Sequence, residues 1–199
     1  VTIIKDGKGT GVSAQVDSNN RIRAYAISTA EESSVAIENG ENFILSMEQV
    51  FLTGSSESAM CYIKNTSQLT TYVFELCVIN YSQPTTTAGS PQVIFYKNPT
   101  TGSLVQSASA GRAVSSNLSS NKTPAVTFYV ASGSAVSSLS DGTVLFKSYI
   151  SGPRTPLNFL NTIILGPGNS IGTSIIPQPN NTLMSASIHW VMFASSNGE

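Results

Sequence analysis

Beyond residue 40 the chain is a succession of short apolar runs divided by clusters of Gly, Pro, Asn and Ser, the rhythm of an all-β domain. Runs at 43–52, 59–64, 71–80, 92–96, 125–131, 143–150, 159–165, 170–176 and 184–194 read as strands, and nine such runs suit a two-sheet sandwich. In the last run Met184, Ala186, Ile188, Trp190, Met192 and Ala194 alternate with Ser185, Ser187 and His189. Side chains two apart share a face of a strand, so the first set belongs in a core. The same alternation over 71–80 puts Tyr72, Phe74, Leu76 and Val78 on one face and Thr71, Val73, Glu75 and Cys77 on the other.

Before residue 40 the pattern is different. Residues 1–39 are polar, small and punctuated by Gly, with one short strand candidate at 21–27 and a helix-tolerant stretch at 28–37. This segment reads as an extended N-terminal arm, and 40–199 as the sandwich. Within 21–27, Arg21, Arg23 and Tyr25 fall on one face and Ile22, Ala24 and Ala26 on the other, which makes the first three the candidate partner-binding residues of the arm. Gly166-Pro167-Gly168-Asn169 fits a type II turn, with Pro at its second position and Gly at the third, and predicts a hairpin between its flanking runs. The stretches 81–91 and 103–123, rich in Ser, Thr, Ala and Asn, read as long loops. No internal repeat of fixed period is present, which disfavours a propeller or solenoid.

Composition sharpens this picture. The 199 residues are 40% hydrophobic and only 11% charged, against roughly 25% charged in an average soluble domain, so Ser, Thr, Asn and Gly must cover the surface. A net charge of −1 provides no basic field for nucleic acid or an anionic membrane. No run of about 18 apolar residues predicts a membrane span, and the first residues do not have the pattern of a secretory signal. Cys61 and Cys77 each lie in an apolar run and read as reduced core residues, a single bridge between adjacent strands being the alternative.

Candidate chemistry is sparse. One histidine, His189, and three aspartates, Asp6, Asp17 and Asp141, supply neither a His-rich metal site nor the parts of a nucleophile elbow or zinc protease motif. Glu48, Glu57 and Glu75 are the carboxylates that a glycosidase pair would need. Asp17-Ser18-Asn19-Asn20 opens like a calcium loop but has no later Gly and terminal Glu. The 7–11 stretch is Gly-rich without the Walker spacing. The sequons at Asn65, Asn80, Asn117, Asn121 and Asn180 are those that a Ser/Thr/Asn-rich chain produces by chance. The expectation is a protein that is not an enzyme and carries no catalytic residue, metal or cofactor.

Two regions carry a family resemblance. Gly9-Thr10-Gly11 through Val16-Asp17-Ser18-Asn19-Asn20-Arg21-Ile22-Arg23, with Glu38-Asn39-Gly40 and Ser58-Ala59-Met60-Cys61-Tyr62-Ile63-Lys64-Asn65, resembles virion structural proteins of tailed bacteriophages. So do Phe95-Tyr96-Lys97-Asn98-Pro99-Thr100-Thr101-Gly102 and Ile163-Ile164-Leu165-Gly166-Pro167-Gly168-Asn169-Ser170-Ile171-Gly172. The resemblance covers most of the chain and implies a jelly-roll-like sandwich that assembles on a phage particle, with no active site to carry over. The resulting expectation is a capsid-decorating or cement protein, a homotrimer whose arm docks on the major capsid protein or other virion proteins. Its place would be the virion, assembled in the host cytoplasm. A tail-associated receptor-binding or fibre-tip protein and a carbohydrate-binding sandwich are the alternatives.

Overall fold

The computed structural model describes residues 29–52, 56–82, 91–104, 111–136, 138–177 and 184–195, together with the short strands at 3–5, 13–16 and 22–23. The chain forms two compact units, Val1–Glu32 and Ser33–Glu199. In the first, β1 (Ile3–Lys5), β2 (Ser13–Val16) and β3 (Ile22–Arg23) pair in order as an antiparallel sheet. Of these, the hydrophobic pattern marked only β3, inside the 21–27 run.

Helix α1 (Thr29–Glu38) falls on the helix-tolerant stretch. It ends in a Schellman motif, in which Glu41 N donates to Ala36 O (2.6 Å) and Gly40 N to Ile37 O (3.0 Å). Gly40 takes the left-handed conformation that this cap requires, at φ 71°. Asn39 and Gly40, where the sequence pattern changes, therefore close the helix.

The strands that follow are β4 (Asn42–Met47), β5 (Val50–Leu52), β6 (Ser58–Asn65), β7 (Thr71–Ser82), β8 (Gln92–Lys97), β9 (Gly111–Ser115), β10 (Val126–Val130), β11 (Thr143–Tyr149), β12 (Arg154–Leu165), β13 (Ser170–Ile176) and β14 (Met184–Ser195). One sheet has the order β12-β7-β14-β4-β9, with β5 also on β14, and the other β10-β6-β13-β8-β11. The pairings nest: β4 with β14, β6 with β13, β7 with β12 and β8 with β11. A long antiparallel hairpin wrapped into two sheets gives this nesting, so the domain is an all-β two-sheet sandwich with jelly-roll topology. Strands β9 and β10 extend its two sheets along one side.

The core lies between the sheets. Leu45, Phe74, Ile79, Ile188, Trp190 and Met192 from the first sheet meet Met60, Cys61, Ile63, Phe95 and Ile175 from the second, all fully or almost fully buried. An aromatic group fixes its centre: Trp190 stacks on Phe159 (5.6 Å) and meets Phe74 (4.8 Å) and Phe95 (5.5 Å). The outer face of the first sheet is partly covered by α1, whose Ala36 packs on Val73 and Phe193.

Three local features depart from the sequence pattern. First, the core face of β7 switches midway. Tyr72 and Phe74 point inward, but so do Cys77, Ile79 and Tyr81, whereas alternation alone would turn Leu76 and Val78 toward the core. On β14, Val191 and Met192 are consecutive while their partners are Leu76 and Phe74. Glu75 is thus an extra residue, a bulge that inverts the facing of every later side chain. Its carboxylate accepts hydrogen bonds from Ser33 Oγ of α1 and Asn42 Nδ2 (2.9 Å), so the bulge is also the attachment point of the helix. We expect Glu75→Ala to cost about 2 kcal/mol, because it leaves the buried Asn42 amide without its charged acceptor. A urea titration followed by circular dichroism reads this directly.

Second, the turn at 166–169 forms, with Gly168 at φ 76° and Asn169 N donating to Gly166 O (3.2 Å). It does not close a hairpin. Strand β12 pairs with β7 in one sheet and β13 with β6 and β8 in the other, so the turn carries the chain across the sandwich. Fully buried Asn65 stitches it there: its Nδ2 donates to Leu165 O (2.9 Å) and Thr70 O (2.8 Å), while its backbone O accepts from Gly168 N (3.1 Å). Third, the 43–52 run breaks at Glu48 and Gln49 into β4 and β5, and the 103–123 loop contains edge strand β9.

Candidate functional site

Among the described residues, no hydrogen bond joins the candidate groups of an active site to one another. Glu75 is held by Ser33 and Asn42. Glu57, just before β6, accepts a hydrogen bond from Tyr96 Oη (2.7 Å) of β8 in the same sheet, which, after burial, helps push the phenol well above its ordinary range. Glu48 is exposed at the β4–β5 break. His189 lies opposite Trp190 on the outer face, with Nε2 3.4 Å from Ser187 Oγ, and Asn80 Nδ2 donates to that hydroxyl (3.3 Å). Partial burial and, secondarily, the charge of Arg154 hold the imidazole below its usual pKa. Among the described residues the ring's hydrogen-bond contact is the Ser187 hydroxyl and not a carboxylate, the group that orients the histidine of a catalytic triad. Among the described residues no group of three or more His, Cys, Asp or Glu could hold a metal.

Cys61 and Cys77 are free and buried. They lie in β6 and β7, strands of different sheets. Burial pushes the Cys61 thiol up to about 11, an effect that the neighbouring Trp190 and Thr173 side chains partly offset. Burial, and then the proximity of Cys61, raise the Cys77 thiol well above its ordinary range. Protonated, enclosed thiols of this kind are packing groups, since the thiolate is the reactive form.

A cleft of about 730 Å³ opens between Glu41, Phe43, Leu69, Tyr72, Lys122 and Ser195. The Lys122–Glu41 ion pair (2.7 Å) stands in it. Its two aromatic rings pack edge to face on each other (6.2 Å) and are almost fully buried, and Tyr72 Oη accepts from Ala125 N (2.7 Å). Neither ring therefore offers its face in this cleft as a stacking platform for a sugar. Trp190, the sole tryptophan, is wholly buried in the core.

What the sandwich does present is an unusual edge. Strands β11 and β12 end their respective sheets on the same side, and both are bulged. In β11 the register jumps from Val144 to Phe146, leaving Leu145 as the extra residue. In β12 it jumps from Asn158 to Ile163 against β7. Leu160 and Asn161 at the tip of that bulge have φ of 49° and 59°, the left-handed conformation that a type I′ turn demands at both central positions. The neighbouring phenylalanines turn inward: Phe146 stacks on Phe95 (4.4 Å), Phe159 stacks on Trp190, and the two meet at 5.8 Å. Each bulge therefore has a Phe anchored in the core and a Leu facing solvent, with Leu145 44% and Leu160 77% exposed. Beside them lies a groove of about 310 Å³ lined by Lys97, Asn98, Leu145, Thr162 and Ile164 among others.

Of the arm residues, Arg23 lies in β3 with its Cα opposite Gln15. Arg21 and Tyr25 lie outside the described residues, as do the 7–11 and 17–20 stretches and most of the 81–91 loop. Two sequons have structural roles: Asn65 is fully buried, and Asn117 Nδ2 caps α1 through Ile37 O and Glu38 O (both 3.1 Å). Among the described residues no helix is long and apolar enough to cross a membrane. No protein-family model matches the sequence, and no curated protein matches it either.

Proposed function

We propose that the protein is a structural component of a phage virion, a homotrimeric decoration or cement protein that uses its N-terminal unit to dock on the capsid. The observation that carries this reading is the division of the chain into a small β unit and a jelly roll. A jelly roll recurs in viral capsid and lectin domains. Glu57, Glu75 and His189 are tied to separate partners, and leucines are exposed at the free edge, which suits adhesion better than chemistry. The major capsid protein or another virion protein is the partner, and the assembled particle its location. Strand pairing by β1–β3 together with the cationic side chains of Arg21 and Arg23 would supply backbone and charge contacts to the shell.

Deleting 1–28 leaves α1 and its packing on Val73 and Phe193 in place. The expected result is loss of sedimentation with capsids while the near-ultraviolet dichroism of the buried Trp190 is retained. Charge reversal of Arg21 and Arg23 with Tyr25→Ala should weaken particle binding at least tenfold. Full particle binding by the truncated chain would overturn the docking role of this unit.

A further inference from the structure

We infer that the outer face of the first sheet, where Arg154, Asn80, Ser187 and His189 meet near Phe51, binds an acidic sugar, with its carboxylate at Arg154 and an apolar ring face on Phe51. The site belongs to the jelly roll alone and does not depend on the docking role proposed for the N-terminal unit.

Strand register brings the polar groups together. Arg154 of β12 is the cross-strand partner of Asn80 in β7, and Asn80 is also that of Ser187 in β14. Directly opposed residues share a face at a strand spacing of about 4.8 Å, so the three side chains form one row. His189 is two residues along β14 from Ser187 and therefore lies on the same face. Asn80 Nδ2 donates to Ser187 Oγ (3.3 Å), which is 3.4 Å from His189 Nε2. The second hydrogen of the Asn80 amide has no acceptor among the described residues and is available to a ligand.

Charge identifies the first part of the ligand. The Arg154 side chain is exposed and makes no ion pair or hydrogen bond among the described residues. Partial burial and then the charge of Arg154 hold the His189 imidazole below its usual pKa. The ring's other cross-strand neighbours are Val78 on β7 and Ser46 on β4, with Arg112 of β9 opposite Ser46. Glu48, at the β4–β5 break, is not among the charges that act on it. A guanidinium beside an imidazole with no carboxylate between them is an unfavourable pairing that a bound oxyanion relieves. Arg154 supplies one permanent charge to the row, which a single carboxylate balances, and its planar fork matches the two carboxylate oxygens.

Phe51 favours a sugar acid over an acidic side chain. In β5 Val50 and Leu52 are wholly buried, whereas Phe51 is 49% exposed. It is the cross-strand partner of Ser185, two residues from Ser187 on the same face, and its N donates to Gly133 O (3.1 Å), so its backbone is fixed on both sides. Strand spacing and rise put its Cα roughly 12 Å from that of Asn80. An Asp or Glu side chain held over Asn80 does not span that length, and a disaccharide does. The C–H face of a pyranose packs on a phenyl ring, whose face carries the negative part of its quadrupole. Between the two ends lie the Ser187 hydroxyl and the Gln49 amide, which is bonded to Ser185 Oγ, uncharged groups suited to sugar hydroxyls.

Calorimetric titration and saturation-transfer NMR of the full chain with disaccharides containing glucuronate, galacturonate or N-acetylneuraminate test this. At least one should bind, and its counterpart with the carboxylate reduced to an alcohol should bind about tenfold more weakly. Arg154→Gln should cost a similar factor and Phe51→Ala about fivefold, both with unchanged circular dichroism because both side chains are exposed. Affinity should rise as the pH falls from about 8 to about 5.5, because a bound carboxylate favours the charged imidazole, and His189→Gln should remove that rise. No binding by any of the three disaccharides at about 10 mM, far above a useful affinity, overturns the inference. So does binding that Arg154→Gln leaves unchanged. Equal affinity for acetyl-aspartate amide, the outcome of a site for an acidic protein side chain, overturns it as well.

Discussion

Trp190→Ala should destabilise the sandwich by about 3–5 kcal/mol, the range for removing a buried Trp or Phe from a core. Trp190 is wholly buried and touches Phe74 and Phe95 as well as Phe159. Phe74 comes from β7, Phe95 from β8 and Phe159 from β12, so one truncation loosens the packing of both sheets and of the bulged edge. A domain of this kind has a total stability of roughly 5–15 kcal/mol, and the variant should stand near its limit. Urea unfolding followed by far-ultraviolet dichroism should show a large fall in midpoint with an unchanged slope. Trp190→Phe, which keeps a ring in the stack, should lose much less. A loss below about 1 kcal/mol in the alanine variant would contradict the central place of this aromatic group.

Gly172→Val should be the next most damaging change, at about 3 kcal/mol, the upper end for overpacking. Gly172 lies in the middle of β13 between Tyr62 and Tyr96. A Cβ there would overlap Leu139 Cδ1 and stand 2.7 Å from Pro99 Cγ. The absence of a side chain lets the segments bearing Pro99 and Leu139 lie directly on the second sheet, and valine would force them away. Gly172→Ala should cost less, because the end of the Leu139 side chain can move. Combining it with Leu139→Ala should recover part of that cost, and a double-mutant cycle measures the coupling. Additive losses would show that Leu139 does not pack on Gly172.

The strands were largely legible because their alternation is strong. The run at 170–176 is β13, and 184–194 lies within β14 with Met184, Ile188, Trp190 and Met192 buried as alternation placed them. Bulges were not legible, since an extra residue is defined by its partner strand. Glu75 looks like any polar position in β7 until its pairing with β14 is seen. The same reason hid the exposed edge: Leu145 lies in Val144-Leu145-Phe146 and Leu160 in Phe159-Leu160, where each reads as core. Strand β9, with only Ala113 and Val114 as apolar residues, gave too little periodicity to stand out from a Ser-rich stretch. The turn at 166–169 was legible as a turn, but which sheet each flanking strand joins is decided by distant partners such as Asn65. For the site, the candidates Glu57, Glu75 and His189 were legible as residues, but their partners Tyr96, Ser33, Asn42 and Ser187 come largely from distant segments and were not.

The most direct test of the proposed function is an electron cryo-microscopy map of the phage particle that carries this protein. Jelly-roll density is expected on the outside of the capsid shell, with the N-terminal unit against the shell. Jelly-roll density at the tail tip, or particles complete without this chain, would contradict it.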